Sequence, residues 1–342
     1  MNISESLAVQ STERLFREQC TDKELAEADA GIWQQALWDQ LIEFGLPVAL
    51  VGEEQGGIGL SMAEAFAIFR LAGRVALPLP IVETILGNWL LSRAGMEPFE
   101  GPVSLVDGTD LTLSAKNDGW HLSGTAARVP YGRRADIVVF VGGRVARVGR
   151  KGIAVSEGAN IADEPRDGLT FDAQLENSGV ADLPGGTDLK AVLAAARCNQ
   201  MAGAMERIFE LTTAYALERE QFGRPLAKFQ AIQQNLAVLA EQVAASNAAA
   251  EMATEAVEGE VARMAVGAAK TRVGEAAGIV ASIAHQVVGA MGVTQEFSLH
   301  HLTRRLWSWR EEYGNETYWA REIGQATAKL GPDGLWPAIT AV

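Results

Sequence analysis

The 342-residue chain reads as an α+β multidomain fold in the order α, β, α: a helical domain over 1–95, a small β-barrel or sheet domain over 96–185 and a four-helix bundle over 186–342. Three observations predict it. Apolar residues recur at helical spacing before Gly95, and short alternating runs broken by Asp-Gly, Asn-Asp-Gly and Gly-Gly fill 100–183. After Gly185-Gly186, long Ala-rich helical patterns continue almost to the end.

In the first domain Ile32, Trp33, Leu37, Leu41 and Phe44 share one helix face, and Gly45 stops the pattern. The glycines of Glu53-Glu54-Gln55-Gly56-Gly57-Ile58-Gly59-Leu60-Ser61 permit a tight loop, and Ser61 is placed to cap the helix that follows. No Lys-Ser/Thr pair follows these glycines, so the loop reads as structural and not as a phosphate cradle. Leu77-Pro78-Leu79-Pro80 leads rigidly into a helix over 81–93. Strand patterns then appear at Val103–Val106, Leu111–Ser114, Trp120–Ser123 and Ile137–Val141. Helical stretches over about 187–220, 225–257, 259–289 and 295–327 complete the bundle, their Ala and Met positions serving packing.

Composition bounds the function. A 48% hydrophobic, 21% charged chain is that of a soluble globular protein. Its net charge of −14 argues against general binding of nucleic acid or anionic membrane, while leaving room for a local basic pocket that takes a phosphate. Cys20 and Cys198 lie far apart and outside any metal-ligand spacing, so no metal is expected and a reducing compartment fits. The N-terminus has no basic segment leading into an apolar run, and nowhere do 18 apolar residues follow one another. A cytoplasmic protein without signal peptide or membrane span is the expectation.

The stretch Tyr215–Ala240 concentrates chemistry. Gly223-Arg224-Pro225 breaks a long helical pattern, with Arg219 before the break and Phe229 and Gln230 beyond it, so cationic, aromatic and amide groups surround one bend suited to an anionic, aromatic ligand. Arg219-Glu220-Gln221-Phe222-Gly223, Pro225-Leu226 and Phe229-Gln230 resemble the signature of the acyl-CoA dehydrogenase flavoproteins. Further segments share the resemblance in order: Glu53–Ser61, Gly119–Gly124 with Ala135–Val139, Asp167–Asp172, and the turn His285-Gln286-Val287-Val288-Gly289-Ala290-Met291-Gly292, where Ala290 replaces a family glycine. The resemblance implies FAD as cofactor, held by Arg219, Gln221, Phe222, Leu226, Phe229, Gln230, Gln286, Gly289 and Ala290, with one subunit completing its neighbour's site. His285 itself reads as a packing or hydrogen-bonding residue.

The chain also departs from that family. A Thr-Glu-Pro-x-x-Gly-Ser-Asp loop is missing before the middle strands, and Arg128-Val129-Pro130 stands where the family has Trp-Ile-Thr against the flavin ring. Proline supplies neither hydroxyl nor amide donor there. The implied chemistry removes an α-proton with a carboxylate while the β-hydrogen leaves as hydride. Ungapped register from Gln286 places Tyr313 at the base position and Gly314 at its glycine. Glu312, one residue away, is therefore the expected catalytic base, followed by Glu311 and Glu316. The first bundle helix, which carries the base in some members, reads Leu193-Ala194-Ala195-Ala196-Arg197 and has no carboxylate there, and Glu206 further along reads as a surface or helix-pair residue. Trp307, Trp309 and Tyr313 read as packing, and Arg304, Arg305 and Arg310 as balancing the acidic surface or meeting a CoA phosphate.

The implied function is FAD-dependent α,β-dehydrogenation of an acyl-CoA thioester, with a bulky or steroid-derived acyl chain in view. Electron-transfer flavoprotein or a similar acceptor would take the electrons, and a homo- or hetero-oligomer, dimer or tetramer, is expected. One alternative is a non-catalytic subunit that completes the FAD site of a heteromeric acyl-CoA dehydrogenase. Another is a flavin-dependent monooxygenase on the same fold.

Overall fold

A computed structural model describes residues 6–185, 187–258 and 262–340. Gly186, at the expected second domain boundary, and residues 259–261, where the third bundle helix was expected to begin, lie outside them. Contacts divide the chain into two compact units, residues 1–68 with 77–189, and residues 69–76 with 190–342.

The first unit begins with α1 (Leu7–Gln19), α2 (Asp22–Asp29) and α3 (Gln35–Glu43). In α2 a capping box forms, the Lys23 amide donating to Thr21 Oγ1 at 3.3 Å and the Thr21 amide to Glu24 Oε2 at 3.1 Å. Ile32 and Trp33 precede α3 instead of opening it, whereas Leu37 and Leu41 occupy its buried face and Gly45, at φ 69°, ends it. The glycine loop folds tightly, because a Cβ on Gly57 would lie 2.1 Å from the Val51 carbonyl oxygen. Ser61 caps α4 (Met62–Arg74) as its position suggests: the Glu64 amide donates to Ser61 Oγ at 3.2 Å and the Ser61 amide to Glu64 Oε2 at 2.9 Å. The Ser6 hydroxyl, 2.7 Å from Glu64, is the first cause holding that carboxyl below its ordinary range.

α5 (Ile81–Arg93) is buried around most of its circumference because it packs on the sheet that follows. Its polar residues tie it down: the Val103 amide donates to Thr84 Oγ1 at 3.0 Å, and Asn88 joins the Pro47 carbonyl at 3.0 Å to the Phe99 amide at 2.9 Å. The strands are β1 (Val103–Asp107), β2 (Leu111–Lys116), β3 (Gly119–Pro130), β4 (Asp136–Val141), β5 (Arg144–Val148), β6 (Ile153–Ser156), β7 (Arg166–Leu175) and β8 (Val180–Asp182). They form two open four-stranded sheets, β1-β4-β5-β8 and β2-β3-β7-β6. The barrel form of the expectation is thus corrected to the sheet form. Among the described residues only β1 and β4 pair in parallel, Val103 facing Asp136, and the two sheets share one apolar core from Val106 and Leu122 to Phe171.

The second unit holds α6 (Leu189–Glu218), the two-stranded hairpin β9 (Glu220–Gln221) and β10 (Arg224–Pro225), α7 (Gln230–Glu255), α8 (Arg263–Val288), α9 (Leu299–Glu311), α10 (Glu316–Leu330) and the short α11 (Leu335–Thr340). The fourth expected helix is broken. Tyr313 at φ 56° and Gly314 at φ 97° cannot continue a right-handed helix, and Asn315 restarts one by accepting the Tyr318 amide at 3.1 Å. Periodicity over 295–327 survives the break, which is why the pattern reads as one helix. α8 with its following turn is the one described segment long and apolar enough to cross a membrane, yet its Val266, Val273, Ala277 and Val280 are buried in a helical assembly with α7, α9 and α10.

Small residues let backbones touch in this unit. A Cβ on Gly203 would sit 1.9 Å from the Arg70 carbonyl oxygen, and one on Gly73 1.9 Å from that of Gln200. Backbone cannot give way as a side chain does, so Gly203→Ala should cost at least about 1–3 kcal/mol, the range for overpacking. The check is the urea midpoint, and an unchanged midpoint would mean that this crossing is looser than described.

Candidate active site

The signature stretch makes a hairpin, not a direct meeting of two helices. α6 ends as the Arg219 amide donates to the Tyr215 carbonyl at 2.9 Å, and the Leu226 amide returns to the Arg219 carbonyl at 2.8 Å. Between them Gln221 pairs with Arg224, leaving Phe222 and Gly223 as turn residues with φ 52° and 77°. Positive φ at both central positions is the type I′ condition, natural for glycine and uncommon for phenylalanine. Phe222 is 91% exposed. Its ring meets Phe229 edge-on at 6.3 Å, and the Arg224 guanidinium lies 4.1 Å over Phe229. Sequence reading passed over Arg224; its spacing of five residues from an aromatic across a bend was the available signal.

Arg219, Gln221 and Gln230 are exposed, and Leu226 and Phe229 half-buried. α7 starts at Gln230 without a side-chain cap, so its first amides add donors to the guanidinium. Tyr215, one turn before Arg219, is edge-on to Phe297 at 5.8 Å, which ties this corner to the segment after the second glycine turn.

In that turn Gln286, Gly289 and Ala290 are all exposed. Gly289 has φ 68°, with nothing within 4 Å of where a Cβ would be. Ala290 has no positive φ and sits in a 3-10 turn over Gly289–Val293, so alanine fits the position that the family gives to glycine. His285 Nε2 is 2.9 Å from the Thr303 hydroxyl, its ring stacks on Trp307 at 6.2 Å, and burial pushes its pKa down. Its other ring nitrogen lies 3.0 Å from where a Cβ on Gly292 would be, so a larger residue there would have to push the imidazole aside.

Glu312 lies elsewhere, in the break between α9 and α10. Its Oε2 accepts from Arg197 Nε at 2.7 Å, and Arg197 is only 2% exposed. Arg197 also donates to Gln200, and its guanidinium stands 5.4 Å from the Tyr313 ring and 5.9 Å from that of Trp309. Arg197 closes the Leu193–Arg197 stretch of the first bundle helix, so an ion pair joins that stretch to the break that carries Glu312. The other two carboxylates are also engaged: Glu311 accepts from Asn315 Nδ2 at 2.9 Å, and Glu316 from Arg310 Nε at 2.7 Å. Glu206, expected on the surface or in a helix pair, meets Arg70 at 3.2 Å and Asn247 at 2.8 Å. Trp309 is buried as expected, but so is Arg305, which donates to the His301 carbonyl at 3.1 Å and is therefore not a surface charge.

Beneath this break lies Lys270, fully buried, its Nζ donating to the carbonyls of Arg310 at 2.7 Å and Gly314 at 2.9 Å. Burial pushes its ammonium down to about 8 and the neighbouring Cys198 thiol up to about 12.

The exposed guanidinium of Arg219, the uncapped amides of α7 and the flanking rings form a donor set that fits the pyrophosphate and aromatic parts of a flavin dinucleotide. Val129 and Pro130 are buried, the Pro130 carbonyl accepts from the Ser104 hydroxyl, and Arg128 takes φ 56° at the β3 bulge.

Comparison with known proteins gives matches to two family models, the N-terminal domain of acyl-CoA dehydrogenase over residues 4–98 and its C-terminal domain over 189–326. Acyl-CoA dehydrogenase IpdE2 of Mycobacterium tuberculosis is 27% identical over 277 residues, 80% of each chain. The fold is similar to the ChsE4-ChsE5 complex of Mycobacterium tuberculosis, with TM-score 0.86 and 24% identity over 96% of this chain and 99% of that one. It is also similar to a Tcur3481-Tcur3483 steroid ACAD variant, with TM-score 0.84 and 22% identity over 96% and 98%.

Lys270 gives this unit a pH signature. Its folded pKa of about 8 lies below the ordinary 10.5, so between these values the unfolded chain holds a proton that the folded one has lost. Stability contributed at this site therefore rises with pH through that window, and the burial penalty is present in full below it. The stability of wild type relative to Lys270→Met should climb by roughly 3 kcal/mol across the window. Urea unfolding of both proteins at neutral and alkaline pH checks this, and a constant difference would refute it.

Proposed function

The chain belongs to the acyl-CoA dehydrogenase family, and from that premise we propose that it works with FAD in the α,β-dehydrogenation of an acyl-CoA whose acyl part is bulky, of the steroid-derived kind. Acyl-CoA dehydrogenation follows from the family. The steroid reading draws on the likeness to the steroid ACAD variant. The observation that carries the cofactor assignment is the exposed hairpin: a cation, uncapped helix amides and a solvent-facing Phe222 on one corner. Such a surface suits a ligand that another subunit helps to hold. The domain division at 95 and 185, a cytoplasmic location, an oligomeric state of dimer or tetramer and an electron-transfer flavoprotein as acceptor belong to the same proposal.

In this reading Arg219 pairs with the pyrophosphate, and Gln221, Phe222, Leu226, Phe229, Gln230, Gln286, Gly289 and Ala290 line the dinucleotide. Flavin, when bound, supplies the hydride acceptor for the β-carbon. Glu312 takes the α-proton, and Arg197 holds its carboxylate in one place beforehand. A second reading has a specific observation behind it: the 2.7 Å pair to a buried arginine engages one of the two oxygens a base would use. Under that reading this chain is the subunit that completes the FAD site, and the base comes from a partner chain.

Anaerobic bleaching of the purified yellow protein by a panel of acyl-CoA thioesters tests the activity. Colourless protein that colours only on co-expression with a second chain of the family would favour the site-completing role. Glu312→Gln keeps shape and removes the proton acceptor, so bound flavin should remain while its reduction slows by at least about a hundredfold, the lower bound for general-base loss. Unchanged reduction would eliminate Glu312 as base. Arg219→Ala should lower FAD occupancy with little loss of helical signal in circular dichroism, and full retention of tightly bound FAD would remove Arg219 from the site.

A further inference from the structure

A fully buried lysine on α8 needs a reason, since burying an ammonium is costly without oxygens to receive it. Lys270 finds them in the carbonyls of Arg310 and Gly314, at 2.7 and 2.9 Å, which lie on either side of Glu312. The first belongs to the last turn of α9, where carbonyls have lost their helical partners. The same break is held by Trp319 Nε1, which donates to the Tyr313 carbonyl at 3.1 Å, and by the Arg310–Glu316 pair at 2.7 Å. A Cβ on Gly314 would lie 2.5 Å from the Tyr318 ring, so the turn has little room to adopt another path. The titratable and charged groups around Lys270 are Cys198 and Arg197 from α6, Glu312 from the break and Glu316 from α10.

We infer that Lys270 is the positioning residue of the Glu312 carboxylate: by gathering the carbonyls of Arg310 and Gly314 on one ammonium, it fixes the non-helical turn from which Glu312 meets Arg197. The inference rests on the dehydrogenase reading only for what the carboxylate does. Lys270→Met would leave both carbonyls without this donor, and the turn would lose the geometry that seats Glu312. The ammonium also faces the carboxylate electrostatically, so its loss of a proton alters the surroundings of Glu312.

The experiment uses the full-length protein in its assembled form, with every glutamate carboxyl labelled with carbon-13 and the Glu312 resonance identified by its loss in Glu312→Gln. In wild type that resonance should show an inflection near the pH of about 8 at which Lys270 titrates. Cys198→Ala should keep the inflection, Lys270→Met should lose it and shift the resonance at neutral pH, and Lys270→Arg should restore the neutral-pH position. A Glu312 resonance with the same position and pH response in Lys270→Met as in wild type overturns the inference. Should Lys270→Met fail to fold, wild type decides: absence of the inflection, or its loss in Cys198→Ala, overturns the assignment to Lys270. No turnover is needed, so a flavin that no acyl-CoA reduces would count against the dehydrogenase reading and leave this result standing.

Discussion

Two cations buried in one helical unit set its internal geometry. Neither Lys270 nor Arg197 reaches water, and each charge must therefore be met by oxygens fixed in place by the fold. Lys270 is met by backbone, and that requires a helix to stop where its carbonyls are needed. Arg197 is met by Glu312 and Gln200, and that requires the stopped helix to present a carboxylate toward α6. The break between α9 and α10 satisfies both demands at once. Tyr313 takes a left-handed conformation that a residue with a Cβ adopts rarely, and such strain persists because Trp319, Asn315 and Lys270 all hold the turn.

The Arg219 corner follows the opposite logic. It is built from exposed groups, with Phe222 almost wholly in solvent and Arg224 and Phe229 giving one another partial cover. An exposed aromatic beside cations is expensive to leave in water and useful where a flat anionic ligand or another subunit completes it. Under the proposed function the two chemical tasks stand apart: the binding groups on a hairpin at the end of α6, and the carboxylate on a break stabilised from within the bundle.

Legibility from sequence varied with the kind of interaction. The Ile81–Arg93 helix, the Ser61 cap and the glycine loop were readable because each is decided by residues within a few positions of one another. The open sheets and the break at Tyr313 were not, for the opposite reason. Whether eight strands close depends on pairing across long separations, and the break depends on Lys270, more than forty residues earlier. At the cofactor corner the residue types were legible and the conformation was not: Phe222 is a poor candidate for a type I′ turn by propensity, so the hairpin was hidden behind a helix pattern that resumed beyond it.

By itself the sequence determined the α, β, α order, the family resemblance and the set of residues at the Arg219 corner, since periodicity, turn chemistry and motif spacing are local properties of the chain. It also exposed the missing carboxylate at the register position of the base. Tertiary structure alone decided the surroundings of the nearest carboxylate, pairing Glu312 with Arg197 across 115 positions and placing Lys270 under the turn that carries it. Charge pairing in a bundle interior is settled by which helices touch, and no spacing along the chain encodes that directly.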